Sequence, residues 1–244
     1  MVGLLDALGE ETAVIVGHDW GAPVAWHAAL LRPDRFRAVA GLSVPFIPRG
    51  AAYPSKNYPE TDTTIFYQRY FQSPGVAEAD LEKDVQITIR ALLYDASGNS
   101  PSSAAKPERE GHVFMVPRKG GIMANRTTPG SLPPWVTDSD VEVYVDEFQR
   151  TGFRGGLNWY RNIDRNWELM APFAELKITV PALFIAGDRD LVLAFGGMNE
   201  VIANLSKNVP RLHDATILPG CGHWTQQERP REVNDALLRF LRRL

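Results

Sequence analysis

The pentapeptide Gly-His-Asp-Trp-Gly at residues 17–21 is the feature that most constrains the fold of this chain. It follows an apolar, β-branched run, Thr12–Gly17, and precedes small and apolar residues at helical spacing that stop at Pro33. The run predicts a parallel strand buried on both faces, and the glycines predict a tight turn from strand to helix. A second apolar run, Phe36–Val44, completes a strand–turn–helix–strand pattern that is typical of an α/β sheet.

This turn carries a candidate nucleophile. The frame glycine–x–nucleophile–x–glycine has Asp19 where many hydrolases have serine. A side chain there projects from the turn, and the N–H groups that begin the following helix favour an ionised carboxylate. The N–H of Trp20 is the group expected to stabilise an oxyanion. The pentapeptide alone leaves another interpretation open, in which Asp19 only caps the helix.

Two later segments supply an acid and a base. The apolar run Val180–Gly187 predicts another strand, and Asp188 and Asp190 follow it directly. His223 lies in a glycine-rich loop after a short strand predicted at Ala215–Leu218. The chain order nucleophile, acid, base is that of the α/β-hydrolases, and spacing alone does not choose between the two aspartates.

The middle of the chain differs in character, because helical patterns alternate there with long loops. We therefore predict a core of residues 1–46 and 171–244 and an inserted helical lid, or cap, of residues 47–170. In the lid, hydrophobic spacing predicts helices at Ile65–Phe71, Asp80–Tyr94 and 156–170, and a capping box is predicted from Thr137 to Asp140. Exposed loops are predicted at Asp95–Gly111 and Pro117–Pro134. In the core, a helix is predicted at Glu228–Leu244.

Composition excludes several classes of function. The 244 residues carry a net charge of −3, which gives no basis for binding nucleic acid. No apolar run reaches the ~18 residues that span a bilayer. The single cysteine, Cys221, rules out a disulfide framework and a multi-cysteine metal site. We expect a cytoplasmic protein that uses no metal and no cofactor, and the sequence leaves assembly as a homo-oligomer open.

Four segments together resemble the soluble epoxide hydrolases of the α/β-hydrolase superfamily. Two of them, Val16–Trp26 and Gly222–Glu228, contain the candidate nucleophile and base. The other two, Phe66–Asp80 and Phe153–Trp167, lie in the predicted lid and are more diagnostic. The resemblance runs over essentially the whole chain and implies an α/β-hydrolase core with a helical cap.

The resemblance also implies a reaction, the opening of an epoxide by water to a vicinal diol. Asp19 would attack the epoxide carbon and form an alkyl ester, which water can hydrolyse. A serine nucleophile would instead form an ether, which is not hydrolysed. His223 would then activate water to hydrolyse the ester. The acid that orients His223 would be Asp190 rather than Asp188.

The lid would supply the acids that activate the epoxide oxygen. In the resemblance, Tyr67 and Tyr160 correspond to the lid tyrosines that hydrogen-bond the leaving epoxide oxygen. Packing at the lid is the alternative role for both tyrosines, and Tyr70, one helical turn away, competes with Tyr67. Apolar substrate-binding walls are expected from Phe46 and Trp159.

Three alternatives compete with an epoxide hydrolase. A haloalkane or haloacid dehalogenase of the same fold also uses an Asp and a His, but it needs halide-binding donors instead of paired tyrosines. A serine esterase is disfavoured because Asp19 occupies the nucleophile position. Finally, the 18 residues before Asp19 contain no His-Gly-x-Pro motif, which in such hydrolases supplies the other half of the oxyanion hole. A sheet lacking its first strands is therefore expected, and the third alternative is a truncated non-catalytic fragment or one whose missing strands come from a partner chain.

Overall fold

The computed structural model describes residues 1–101 and 114–244. They form two compact units, one of Met1–Pro48 and Phe173–Leu244 and the other of Arg49–Pro172. These boundaries lie two residues beyond those predicted from the sequence at both junctions. Most of the loop predicted at Asp95–Gly111 lies outside the described residues. No helix within the described ranges is long and apolar enough to cross a membrane.

The secondary structure alternates between strands and helices in the first unit and is mainly helical in the second. The strands are β1 (Ala13–His18), β2 (Phe36–Leu42), β3 (Thr64–Phe66), β4 (Met115–Pro117), β5 (Ala182–Gly187) and β6 (Leu212–Leu218). The helices are α1 (Val2–Leu8), α2 (Gly21–Leu31), α3 (Tyr67–Tyr70), α4 (Val76–Leu81), α5 (Val85–Asp95), α6 (Asp138–Thr151), α7 (Arg154–Arg161), α8 (Ile163–Leu169), α9 (Met198–Ala203), α10 (Leu205–Asn208), α11 (Thr225–Glu228) and α12 (Pro230–Leu241). Short 3₁₀ turns span Pro54–Asn57, Ala171–Phe173 and Leu191–Ala194.

The first unit contains a parallel sheet with the strand order β1-β2-β5-β6, and this confirms the α/β prediction. All three strand pairs are parallel, so the carboxyl ends of the four strands lie along one edge of the sheet. The prediction that the first strand is buried on both faces was wrong, since the Val16 side chain in β1 is 50% exposed. The reason is that β1 lies at one end of this strand order.

Helices cover both faces of the sheet at β2. Trp26 of α2 lies directly over Gly41, where a Cβ atom would come within 2.3 Å of the indole ring. Ala40, the preceding residue, points to the opposite face and joins a buried cluster with Val233 and Phe240 of α12. The C-terminal helix therefore packs on the sheet as its apolar stripe predicts, and it begins at Pro230, where the missing N–H costs no helical hydrogen bond.

In the second unit, the prediction of a helix over Ile65–Phe71 was wrong in its first part. Residues Thr64–Phe66 form β3, which pairs in antiparallel fashion with β4, and the helix begins only at Tyr67. The partner strand is about fifty positions away in the sequence, so hydrophobic periodicity within the segment gives no sign of it.

Two longer helices expected in this unit are each interrupted. The run Asp80–Tyr94 divides between α4 and α5, because the Asp84 carboxylate accepts the Ile87 N–H and starts a new helix. The run 156–170 divides between α7 and α8 at Asn162. The predicted capping box at the start of α6 is confirmed, since Thr137 and Asp140 bond each other's backbone N–H.

Candidate active site

Asp19 lies in a strained turn at the carboxyl end of β1. Its φ is +51°, in the left-handed region that a non-glycine residue rarely occupies. The turn is tight, because a Cβ atom at Gly17 would come within 2.0 Å of the Gly21 carbonyl oxygen. Only glycine fits at position 17, and this lets α2 start immediately behind the Asp19 carboxylate. Gly17 is thus required by packing, whereas a Cβ atom at Gly21 would meet no atom within 4 Å.

The imidazole of His223 joins the two carboxylates expected from the sequence. Its Nε2 atom lies 3.2 Å from Oδ2 of Asp19, and its Nδ1 atom lies 3.0 Å from Oδ1 of Asp190. The Asp190 side chain has no exposed area, whereas the Asp19 side chain is 36% exposed. A reagent from solvent can therefore reach Asp19, while Asp190 can act only through His223.

The ambiguity between the two aspartates after β5 is resolved by their hydrogen bonds. Asp190 caps the 3₁₀ turn that follows, accepting the Val192 N–H at 2.9 Å with the same oxygen that faces His223. Asp188 instead accepts the Gly220 N–H at 2.7 Å and so ties the loop after β6 to the loop after β5. Asp188 thus supports the loop that carries His223, and Asp190 contacts the imidazole itself.

The charges in this group stabilise one another. Burial opposes ionisation of Asp19, but the hydrogen bond and charge of His223 and the donated N–H of Trp20 outweigh it and lower the pKa of Asp19. Burial likewise opposes a charged His223, but Asp190 and Asp19 together raise the pKa of its imidazole. With the substrate absent, the geometry favours an imidazolium held between two carboxylates.

His18, beside the candidate nucleophile, has a structural role in this site. Its Nε2–H donates to the backbone carbonyl of His223 at 2.7 Å, and the two rings lie 4.8 Å apart. Burial and the neighbouring His223 lower the pKa of His18, which favours the neutral ring. The bond to a carbonyl oxygen requires the remaining proton to be on Nε2. His18 therefore fixes the backbone of the loop that carries His223.

Two further residues of this site were missed by the sequence analysis. Ser43, at the carboxyl end of β2, is fully buried with Oγ 3.0 Å from Nδ1 of His223. Glu228 accepts the N–H groups of Gly222 and Trp224, on either side of His223, at 2.9 and 3.1 Å. A usable signal existed for Ser43, since a polar residue that ends a strand next to the nucleophile strand must lie at the same sheet edge.

In the second unit, the rings of Tyr67 and Tyr160 pack edge to face with their centroids 5.6 Å apart. Gln68 donates its side-chain N–H to the Tyr67 hydroxyl at 2.8 Å. Gln72 donates to the backbone carbonyls of Gln68, at 2.7 Å, and Tyr160, at 3.0 Å. The two tyrosines are thus held as a pair by a short amide network. The competing Tyr70 donates instead to Asp80 at 3.5 Å.

A buried ion pair supports the segment that carries Tyr160. The adjacent Arg161 pairs with Glu78 at 2.8 Å and donates to the Phe71 carbonyl at 2.9 Å. The Arg161 hydrogen bond is the main cause that lowers the pKa of Glu78 to about 2. This ion pair links α4 to α7, the helix that carries Tyr160.

The remaining candidates have more ordinary surroundings. Phe46 is buried against Trp26 and His27, and Trp159 on α7 is 48% exposed. Burial raises the pKa of the Cys221 thiol to about 12, so it is no nucleophile at neutral pH and only fills the glycine-rich loop. His112, a further histidine of the predicted lid, lies outside the described residues. Within those residues no group of His, Cys, Asp and Glu is arranged to hold a metal ion.

The parallel sheet with nucleophile, acid and base at its carboxyl edge is the arrangement of an α/β-hydrolase. In agreement, the family model for the alpha/beta hydrolase fold matches residues 2–230. The chain is 44% identical over 245 residues to epoxide hydrolase A of Mycobacterium tuberculosis, covering 99% of this chain and 72% of that protein. It is 38% identical to epoxide hydrolase 2 of Siraitia grosvenorii, covering 100% of this chain and 74% of the relative.

Solved structures give the same result. An epoxide hydrolase from an endophytic Streptomyces superposes with a TM-score of 0.90 at 44% identity, covering 98% of this chain and 70% of that one. The chain therefore belongs to the α/β-hydrolase family and, within it, to the epoxide hydrolases.

Proposed function

We propose that this protein adds water to an epoxide and releases a vicinal diol, with Asp19 as the nucleophile. The observation that carries the proposal is the contact of 3.2 Å between His223 Nε2 and the Asp19 carboxylate, at a turn with positive φ. The names of the relatives support the choice of substrate class. They give no support to the dehalogenase alternative, which uses the same Asp and His.

In the first half-reaction, an Asp19 carboxylate oxygen attacks an epoxide carbon while the carbon–oxygen bond on the opposite side breaks. The lowered pKa of Asp19 keeps the carboxylate ionised and nucleophilic at neutral pH. The products of this step are an alkyl ester on Asp19 and an oxygen that takes up a proton. We assign the donation of that proton to Tyr67 and Tyr160, whose phenols hydrogen-bond the leaving oxygen.

In the second half-reaction, His223 acts as a base. The ester carries no charge, so one of the two carboxylates that hold the proton on His223 is lost and the pKa of the imidazole falls. Neutral His223 then takes a proton from water, whose oxygen attacks the ester carbonyl. The Trp20 N–H, which already donates to the Asp19 carboxylate, stabilises the resulting oxyanion. Collapse releases the diol, whose oxygen takes the proton from His223. The Asp19 carboxyl that forms passes its own proton to His223, which restores the ion pair. The proton that His223 gave up when the ester formed returns, through solvent, to the phenol that protonated the leaving oxygen.

Asp190 has a positioning role in this scheme. Because it is buried and bonded to Nδ1, it keeps the proton of neutral His223 on Nδ1 and leaves Nε2 free to accept a proton from water. We propose Phe46 and Trp159 as apolar walls for the substrate, as the sequence predicts. A cytoplasmic location and self-association also stay predictions of the sequence.

The test is a single turnover of an aryl epoxide in ¹⁸O-labelled water, followed by peptide mass spectrometry. The ester mechanism predicts one labelled oxygen in the Asp19 carboxylate and unlabelled diol after one turnover. Label that enters the diol directly would exclude the ester. Asp19→Ala is the control and should form no diol, and equal inactivity of the two proteins would refute the assignment of activity. Halide release from a haloalkane, without diol formation, would favour the dehalogenase.

A further inference from the structure

We propose that Ser43 is a positioning residue for His223, acting on its tautomer and ring orientation in the hydrolysis of the ester. This inference rests on the proposed function and deepens it. Ser43 was absent from the residues that the sequence analysis selected. Its place in the sheet, its backbone conformation and its hydrogen bond to the imidazole each point to the same role.

The place of Ser43 follows from the strand order. Strand β2 lies between β1, which ends at the nucleophile, and β5, which ends before Asp190. Ser43 is the first residue after β2, and its N–H extends the ladder by donating to the Ile185 carbonyl at 2.8 Å. The side chain is fully buried, and its Oγ lies 3.0 Å from Nδ1 of His223. The hydroxyl is thus beside the atom that Asp190 also contacts.

The backbone of Ser43 is strained. Its φ is +70°, and the only other non-glycine residue with positive φ among the described residues is Asp19. Such strain costs of order 1 kcal/mol or more and persists only where the surroundings enforce it. Glycine would remove the strain, yet the chain has serine at this position. A hydroxyl held at that cost next to the imidazole indicates a use for the hydroxyl.

The hydrogen-bonding capacity of the group defines that use. Nδ1 must carry a proton if Nε2 is to act as a base, and this proton points to the Asp190 carboxylate with Ser43 Oγ at equal distance. Oγ therefore accepts a share of the Nδ1–H bond, and its own proton is free to turn toward Asp190. In line with this, the pKa of Asp190 is lowered against the effect of burial, mainly by His223 and to a smaller degree by the Val192 N–H and by Ser43. Ser43 thereby resists both rotation of the ring and transfer of the proton to Nε2.

The two half-reactions should respond differently to loss of this hydroxyl. Attack by Asp19 needs an ionised carboxylate, which does not depend on Ser43. Hydrolysis of the ester needs His223 in one tautomer and one orientation at the moment when Asp19 no longer carries a charge. Removal of the hydroxyl should therefore slow hydrolysis and let the alkyl ester accumulate.

The experiment compares wild type, Ser43→Ala and Ser43→Gly by rapid quench and intact-mass measurement of the ester. We expect the hydrolysis rate to fall about three- to tenfold in both variants, as for loss of one hydrogen bond, with alkylation within about twofold of wild type. Glycine removes the backbone strain and alanine keeps it, so a role in the backbone alone would affect only one of them. Ser206→Ala, at an exposed position on α10, is the matched control and should behave as wild type.

Proton NMR separates this inference from the proposed function. The Nδ1–H of His223 should give a resonance downfield of the amide region that is absent from His223→Gln. We expect it to broaden through faster exchange with water in both Ser43 variants, whether or not the protein turns over an epoxide. An inert wild type would refute the proposed function alone. Wild-type hydrolysis rates, or an unchanged Nδ1–H resonance, in folded Ser43→Ala and Ser43→Gly would overturn the role of Ser43.

Discussion

Nε2 of His223 lies 3.2 Å from the Asp19 carboxylate. In the proposed mechanism, this ring atom first supports the nucleophile and later accepts a proton from water. No rearrangement of the imidazole is required between the two half-reactions. What changes is the charge on Asp19, which is present before the ester forms and absent while it exists. In the proposed mechanism, one ion pair therefore controls both steps.

Replacement of His223 by glutamine should separate the two steps. The amide retains hydrogen-bonding groups but cannot act as a base, so we expect kcat to fall roughly 10²–10⁴-fold. The alkyl ester should persist and appear in intact mass spectra as the mass of the variant plus the mass of one epoxide. Asp19→Asn should show no such adduct. A His223→Gln protein that turns over at the wild-type rate would contradict the role of the base.

The pKa of His223 should depend on Asp19. In the free protein, its pKa is raised against the effect of burial by Asp190 and Asp19, so the ring stays charged through neutral pH. Asp19→Asn removes one of the two negative charges, so the pKa of His223 should fall toward the ordinary value of about 6.5. An NMR titration with ¹⁵N-labelled histidine measures the pKa of His223 in both proteins. Equal titration of His223 in both proteins would refute the ion pair.

Gly187 determines how closely the His223 loop approaches β5. A Cβ atom there would lie 2.1 Å from the Cys221 carbonyl oxygen, which is backbone and cannot move aside cheaply. We expect Gly187→Ala to destabilise the protein by about 1–3 kcal/mol and to reduce activity by displacing His223. Chemical denaturation measures the free energy of unfolding. Gly3→Ala, at a helical site with no atom within 4 Å, is the control and should change stability by at most ~1 kcal/mol, toward greater stability.

Replacement of one carboxylate oxygen of Glu228 should lower both the stability and the activity of the protein. The two carboxylate oxygens of Glu228 accept the N–H groups of Gly222 and Trp224, so they hold both sides of His223. In Glu228→Gln, one N–H would face an amide NH₂ instead of an acceptor, which costs about 1–3 kcal/mol. We expect a lower melting temperature and a reduced kcat. The control is Glu232→Gln, exposed in the first turn of α12, which should melt and react as wild type.

Gln68 should influence the tyrosine pair. Its N–H donates to the Tyr67 hydroxyl at 2.8 Å, which orients the phenol and strengthens it as a donor. Gln68→Leu should therefore slow alkylation about two- to tenfold while ester hydrolysis stays near the wild-type rate, as single-turnover measurements can show. Gln149→Leu, on α6, is the control and should leave both rates unchanged. Slowing of hydrolysis alone would argue against this assignment.

Much of the core could be predicted because its signals are local. The strand, turn and helix around Asp19 follow one another within about twenty residues, and each element has its own pattern. The choice of Asp190 over Asp188 could not be read from spacing, since it depends on which carboxylate caps the turn beginning at Leu191. Only the resemblance distinguished them, and the hydrogen bonds agree with it.

The parts that sequence reasoning missed depend on contacts between distant segments. The strand at Thr64–Phe66 exists because β4 pairs with it, and no property of the segment itself reveals the partner. The sequence could have placed Ser43 at this sheet edge, but its contact with His223 depends on β2 lying between β1 and β5. A serine at the end of a strand is common, and only the strand order gives it a specific neighbour.

The strand order also has a consequence for how the protein folds. The segment β1-α2-β2 can form from neighbouring residues, but β5 must then find β2 across the whole of Arg49–Pro172 before Asp190 and His223 reach their places. Closing a loop of this length is entropically costly and slow relative to local pairing. We expect refolding to restore helical structure first and epoxide-opening activity last, so recovery of activity would report the final pairing of the sheet.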